Sequence, residues 1–354
     1  MSGATTMRIS VISKTKLLAA SILISVSLWP FATRAADVQA PLTTVRFSEL
    51  GVSLGDLYQQ MAIDHGIYKA QGIDLQIVLF LRGGPESIAA AASNQVDMGS
   101  VGTPILTGIS RGLHLKVVGA PAYRAQPFVL VARPEISSVA ELKGRDVAFG
   151  EAGGGATEAA AYIFNAEKVD ISSVRNVGGG STATSYLALK AGRVAAVIMT
   201  EPNVTQAQYD HIGHVLARGE DYFGRYEHSY IFATQAFIDA HPDAVRRFFI
   251  ANREAIRYAR THQDELIALA KTKLNLSDAV IRASLARLLP RWDDSGAIDP
   301  QGLLNAVKIV QQLGDINKDY QPSLAQIADL RFVAPDSAPT VAFEAPGKSA
   351  APAR

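Results

Sequence analysis

The sequence predicts an α/β protein built as two doubly wound lobes, and three observations carry that expectation. From residue 43 to residue 233, short apolar runs of β-type composition alternate with stretches of helical period. That order builds a mostly parallel sheet flanked by helices. The chain has 354 residues, 48% of them hydrophobic and 19% charged, an ordinary globular composition whose length suits about two domains of ~150 residues. A weak internal echo supports two similar units. Val96 stands eight residues before Pro104 and Val194 eight before Pro202, each pair spanning a strand that follows a helix.

Taken in order, the chain opens with Arg8, Lys14 and Lys16, an apolar run over residues 17–31, and the small-residue stretch Ala32-Thr33-Arg34-Ala35-Ala36. A basic, then apolar, then small-residue order reads as a secretory signal peptide over residues 1–35. The run is shorter than the ~20 residues a membrane span needs. The chain contains no cysteine, which excludes lipid anchoring just after that segment, disulfides and thiolate metal sites. Without residues 1–35 the 34 basic and 33 acidic side chains become 30 and 33, a net of −3. A near-neutral chain without a basic run gives no support for nucleic-acid binding.

Residues 44–47 read as a strand. Ser53 is expected to cap the next helix with Asp56 as its acidic partner, and Leu54, Leu57, Met61 and Ala62 keep helical spacing up to a stop at Gly66. Residues 75–80 form a continuous apolar run, the pattern of a parallel strand buried on both faces. Pro85 opens a helix bearing Ile88, Ala89 and Ala92. A strand at 97–101, a helix from Thr103-Pro104 to Gly112 and a strand at 115–119 follow. The second set comprises strands at 128–132 and 146–149, helices at 157–168 and 181–191, and a strand at 195–199. Residues 230–233 bring the chain back across the hinge, and helices fill the stretch from His241-Pro242 to about 330. Residues 334–354, rich in Pro, Ala and Ser without apolar period, read as a disordered tail. Lobe 1 is therefore expected over 43–127 and about 234–330, and lobe 2 over 128–233.

Several stretches, in this order, resemble the sulfonate-, nitrate- and taurine-type substrate-binding proteins of ABC importers, a group that includes thiamine-pyrimidine binders. They are Gly55-Asp56-Leu57-Tyr58, Asp64-His65-Gly66-Ile67-Tyr68, Gly72-Ile73-Asp74-Leu75, Asn94-Gln95-Val96-Asp97-Met98-Gly99, Val139-Ala140-Glu141-Leu142-Lys143-Gly144-Arg145 and Phe237-Ile238-Asp239-Ala240-His241-Pro242. The resemblance covers residues 43–330. It implies a type II periplasmic binding protein-like fold, two lobes with a hinge and a ligand cleft. It further implies a monomeric periplasmic protein that captures a small anionic or zwitterionic organic solute for an ABC permease. No catalytic residue, cofactor or metal is expected. A thiamine-type pyrimidine or other aromatic is the alternative ligand, and a type II-fold enzyme such as a lyase the alternative activity.

Open α/β sheets bind ligands beyond the C-terminal ends of their strands, and the chain places its special residues there. Arg82, Gly83 and Gly84 open one helix and Gly102 and Thr103 another; Glu151, Gly154 and Thr157 open a third, and Gly180 and Ser181 a fourth. Glycines let backbone N–H groups approach a ligand, and helix N-termini favour anions, although such loops also serve as plain turns. Ser53, Thr103, Thr157 and Ser181 offer hydroxyls. Arg82 and Arg124 suit a sulfonate or carboxylate, Glu151 and Glu201 an ammonium, and Tyr58 either stacks on the ligand or packs in the core. His211-x-x-His214 beside Asp210 is too sparse for a metal centre, and a chain without cysteine has no thiol nucleophile.

Overall fold

The computed structural model describes residues 42–123, 127–178, 181–223 and 225–333. The expected signal segment, the C-terminal tail, Arg124 and Gly180 lie outside them.

The chain begins with β1 (Thr43–Glu49) and α1 (Leu57–Asp64). Ser53 does not cap α1: its Oγ accepts from the Gly55 N–H at 3.2 Å. A turn over residues 54–56 intervenes, and Asp56 takes the N-cap position without a side-chain cap bond. Leu54, Leu57, Met61 and Ala62 are all buried. Gly66, at φ +70°, makes the left-handed turn into α2 (Ile67–Ala70), a backbone that a β-carbon would strain. β2 (Ile73–Leu79) pairs in parallel with β1 alone. It is an edge strand with Leu79 46% exposed, not one covered on both faces. An apolar run reports hydrophobicity but not how many neighbours a strand has.

The first half continues through α3 (Gly84–Ala92), β3 (Met98–Val101), α4 (Pro104–Ser110) and β4 (Leu115–Gly119). The second half holds β5 (Val129–Ala132), β6 (Asp146–Ala148), α5 (Gly155–Ala166), β7 (Arg175–Asn176), α6 (Thr182–Lys190), β8 (Ala196–Met199), α7 (Asn203–Tyr209), β9 (His214–Arg218) and α8 (Glu220–Phe223). β10 (Tyr230–Thr234) returns to the first sheet. Then come α9 (Gln235–Ala240), α10 (Pro242–Thr261), α11 (Gln263–Leu274), α12 (Asp278–Leu288), α13 (Pro300–Gln312) and α14 (Leu324–Ile327).

Two five-stranded sheets result, ordered β2-β1-β3-β10-β4 and β7-β6-β8-β5-β9. Both are mixed. β10 runs antiparallel to β3 and β4, and β5 antiparallel to β8 and β9. Each is the first strand after a crossing between the sheets. Helices cover both faces of the first sheet. One face carries Phe47, Tyr58, Phe248 and Trp292, joining α1 and α10–α12; the other carries Ile105, Phe232, Leu303 and Val310, joining α4 and α13. The second sheet is clothed likewise, by Ile163 and Phe164 on one face and by Leu189 and Val204 on the other. Each such side chain contributes ~1.5–3 kcal/mol on burial. Among the described residues no helix is long and apolar enough to cross a membrane.

Candidate functional site

The C-terminal strand ends of both sheets open on one cleft of about 540 Å³, within the ~300–1,000 Å³ typical of small-molecule sites. From the first half, Glu49 ends β1, Ser53 and Asp56 precede α1, Arg82 to Gly84 lead into α3, and Gly102 follows β3. From the second half come Glu151, Gly154 and Gly155 before and at the start of α5, Ser181 before α6, Glu201 after β8, and Arg218 at the end of β9. α3 and α5 start at this wall without side-chain caps, so their first N–H groups are unspent donors. α6 differs, because the Ser181 Oγ accepts from the Thr184 N–H at 3.3 Å.

Phe128 and His228, one from each crossing segment, form the floor. Their rings meet edge to face at 5.4 Å between centroids. His228 is buried, and burial lowers its pKa to about 3, so it is neutral at physiological pH. A β-carbon on Gly102 would stand 3.0 Å from this imidazole and one on Gly155 2.8 Å. Both glycines are therefore needed for close packing of the halves around His228. Below the floor, the Thr103 hydroxyl before α4 donates to Glu158 of α5, joining the halves. Burial raises the Glu158 carboxyl to about 8.

Of the residues singled out in the sequence, Ser53, Arg82, Gly83, Gly84, Gly102, Glu151, Gly154, Ser181 and Glu201 line the cleft. Three stand elsewhere. Tyr58 is fully buried against Trp292, ring centroids 5.6 Å apart, because its helical position faces the sheet. Thr103 is fully buried and engaged with Glu158. Thr157 turns back to donate to the carbonyls of Glu151, at 2.6 Å, and Phe149, at 3.1 Å. Arg82 sits at the rim with its side chain 74% exposed and 3.2 Å from Glu86. Glu201 is not an open carboxylate. Arg287 of α12 reaches it at 2.9 Å, and the Thr205 hydroxyl donates to it at 2.6 Å.

Sequence reasoning missed Glu49, Asp56, Arg218, His228 and Arg287. Glu49 and Arg218 stand at strand ends, the signal that did point to the loops. Arg287 is 86 residues from Glu201 in the chain, and nothing local announces their meeting. The chain also holds two Gly-x-Ser-x-Gly strings, Gly51-Val52-Ser53-Leu54-Gly55 and Gly108-Ile109-Ser110-Arg111-Gly112. The second closes α4, where the Ser110 hydroxyl donates to the Thr107 carbonyl at 2.8 Å, not the strand-to-helix turn of a nucleophile elbow. The first does lie between β1 and α1, but its Ser53 hydroxyl is engaged with the Gly55 N–H and the Asp56 carboxyl. Among the described residues no group of three or more His, Asp or Glu side chains is placed to hold a metal ion.

The Arg287–Glu201 contact ties α12, whose Ile281 and Leu285 belong to the core of the first half, to α7 of the second. We expect Arg287→Ala to shift the ligand-free protein toward a more open form by about 1 kcal/mol, the scale of a partly exposed pair. Small-angle scattering would register a larger radius of gyration; an unchanged radius would show that the pair does not hold the halves together.

Residues 58–266 match the family described as NMT1/THI5 like. The YtlA binding protein of Bacillus subtilis (strain 168) is 24% identical over 285 residues, 78% of this chain and 83% of its own length. Among solved structures, the alkanesulfonate-binding protein SsuA of Xanthomonas axonopodis pv. citri bound to MOPS superposes with TM-score 0.66 at 18% identity, covering 77% of this chain and 93% of that one. The periplasmic aliphatic sulphonate binding protein SsuA of Escherichia coli gives TM-score 0.65 at 19% identity over 82% and 98%. The desulfurization enzyme DSZB shares the fold at TM-score 0.56 and 16% identity over 82% and 97%.

Proposed function

Because this chain belongs to the NMT1/THI5-like family, we propose that it is a periplasmic solute-binding protein that captures a small anionic or zwitterionic organic solute, sulfonate-like in kind, and delivers it to the permease of an ABC importer. The observation that carries this reading is the shared cleft, to which both sheets contribute strand ends and helix starts. An anionic oxygen would meet the N-termini of α3 and α5, and Arg218, which has no ion-pair partner among the described residues, would supply a guanidinium. Closure of the halves about the crossing segments would trap the solute. In this reading residues 1–35 direct export, the protein acts as a monomer, and no bond of the solute is made or broken. The enzyme among the structural relatives shares the fold at 16% identity, and fold alone does not carry chemistry.

A specific feature favours a second ligand class. Phe128, Tyr123 and His228 give the cleft an aromatic lining against which a thiamine-type pyrimidine would stack.

Native mass spectrometry of the purified protein, then calorimetric titration with alkanesulfonates, taurine, nitrate and pyrimidines, separates these readings. The true ligand is expected to stabilise the fold by ~2.7 kcal/mol at a hundredfold excess over Kd. Chemical turnover of any bound solute would overturn the proposal.

A further inference from the structure

We propose that Glu49, with Asp56 beside it, forms the subsite for a positively charged group on the solute: an ammonium, or the ring-protonated amidine edge of an aminopyrimidine. The inference rests on the solute-binding reading above and deepens it by naming the charge the first half of the cleft selects.

Glu49 is the last residue of β1, where the strand runs out into the cleft, and it is only 8% exposed. Among the described residues no group donates a hydrogen bond to its carboxylate and no cation pairs with it. Asp56 lines the same wall, and the hydroxyl of Ser53 meets its carboxyl. The other ionisable groups felt by the pair are the phenols of Tyr58 and Tyr68, both held neutral by burial. Among the described residues nothing on the first half therefore balances two adjacent acids. A carboxylate sheltered from water without a counter-charge is costly. Burial pushes Glu49 well above the usual glutamate range and Asp56 to about 6. A cation arriving between the halves would remove that cost, so the pair discriminates by charge.

The remaining cleft acids contrast with it. Glu201 is held by Arg287 at 2.9 Å and Glu220 by Arg291 at 2.9 Å, while Glu151 is open to solvent. Arg287 and Arg291 are spent on those acids, which leaves Arg218 at the end of β9 as the guanidinium without an ion-pair partner among the described residues. Acid on one wall and guanidinium on another make a bipolar cleft, suited to a solute with opposite charges at its two ends. This relocates the cation site expected at Glu201, whose charge is already answered.

The test compares taurine with ethanesulfonate, which lacks the ammonium, and adds a 4-aminopyrimidine, by calorimetry at pH 7.5 on the full chain and on Glu49→Gln. Taurine, which carries an ammonium, or the aminopyrimidine, which gains its ring proton on binding, is expected to bind at least ~10-fold tighter than ethanesulfonate, and Glu49→Gln to remove that advantage, about 1.4 kcal/mol. Taurine as the preferred probe identifies a zwitterion, and the pyrimidine an aromatic base. Glu49→Gln is also expected to raise the melting temperature of the ligand-free protein at pH 7.5, because it removes a buried acid that ionises more readily in the unfolded chain. A merely structural residue would not stabilise the fold and weaken binding together. Equal binding of taurine and ethanesulfonate, unaffected by Glu49→Gln, overturns the subsite and leaves the solute-binding reading standing. If no probe binds and no small molecule co-purifies, both fall.

Discussion

Replacing Trp292 with alanine is expected to destabilise the protein by about 3–5 kcal/mol, the range for removing a large aromatic from a core. The side chain is fully buried, and its ring meets Tyr58 of α1 at 5.6 Å, edge to face. Trp292 follows the 3₁₀ turn Leu289–Arg291 that ends α12, so the pair pins the C-terminal helical layer to the helix after β1. That turn also carries Arg291, which reaches Glu220 of the second half at 2.9 Å. Loss of the ring should thus lower the melting temperature by several degrees and loosen the closing contacts. Trp292→Phe keeps an aromatic face against Tyr58 and deletes the indole N–H, which has no hydrogen-bond partner among the described residues. Its cost is expected to be below about 1.5 kcal/mol, the usual ceiling for a well-tolerated hydrophobic swap. Chemical denaturation of both variants checks the ordering; equal losses would show that the indole's full size, not its packing face, is what the site requires.

Raising the pH from 6 to 8.5 is expected to lower the stability of the ligand-free protein, and Glu158→Gln to remove much of that fall. Glu158 is buried between the halves, where burial raises its carboxyl to about 8 and the Thr103 hydroxyl, which donates to it, pulls the other way. Tyr226 and Tyr230, both buried neutral phenols, and Asp315 add no positive charge nearby. Above its ordinary value and below about 8, the folded protein keeps a proton that the unfolded chain has released. Stability contributed by this group is complete at acid pH and is lost as pH rises through the folded value, at no more than about 1.4 kcal/mol per pH unit. Glu49 and Asp56 slope the same way, so the glutamine variant should flatten the profile in part. The hydrogen bond from Thr103 in the opposite half favours the ionised carboxyl, so it moderates this fall and does not add to it. Thermal melts at a series of pH values test this; a wild-type profile that is flat from pH 6 to 8.5 would mean Glu158 is ionised throughout.

Much of the architecture was legible residue by residue. The strand at 115–119 matches β4 end to end, and the helices opened by Pro85 and Pro104 begin where proline fixes the first turn. Local signals of this kind are written in neighbouring residues. What was not legible depended on residues distant in sequence. β7 has only two residues, Arg175 and Asn176, too few to show a period of two. β2 looked doubly covered, yet its exposure depends on its edge position in the sheet. Ser53 and Asp56 have the spacing of a capping pair, but the turn after β1 sends them to the cleft instead.

The site divides in the same way. Glycine-rich loops after strands and before helices pointed to the rim of the cleft because the rule relating strand ends to openings is topological. Which acids there are answered by a base was beyond reach: the sequence marks Glu201 and Glu49 alike as acidic residues near strand ends. The sequence by itself determined the alternation of elements, the two-lobed α/β class and the loops that face a common opening, because these follow from periodicity and turn chemistry. Only the tertiary structure decided that Arg287 neutralises Glu201, that Thr103 and Tyr58 turn away from the cleft, and that no cation among the described residues pairs with Glu49. Charge balance and burial arise when segments tens of residues apart are packed together, and no local pattern encodes them.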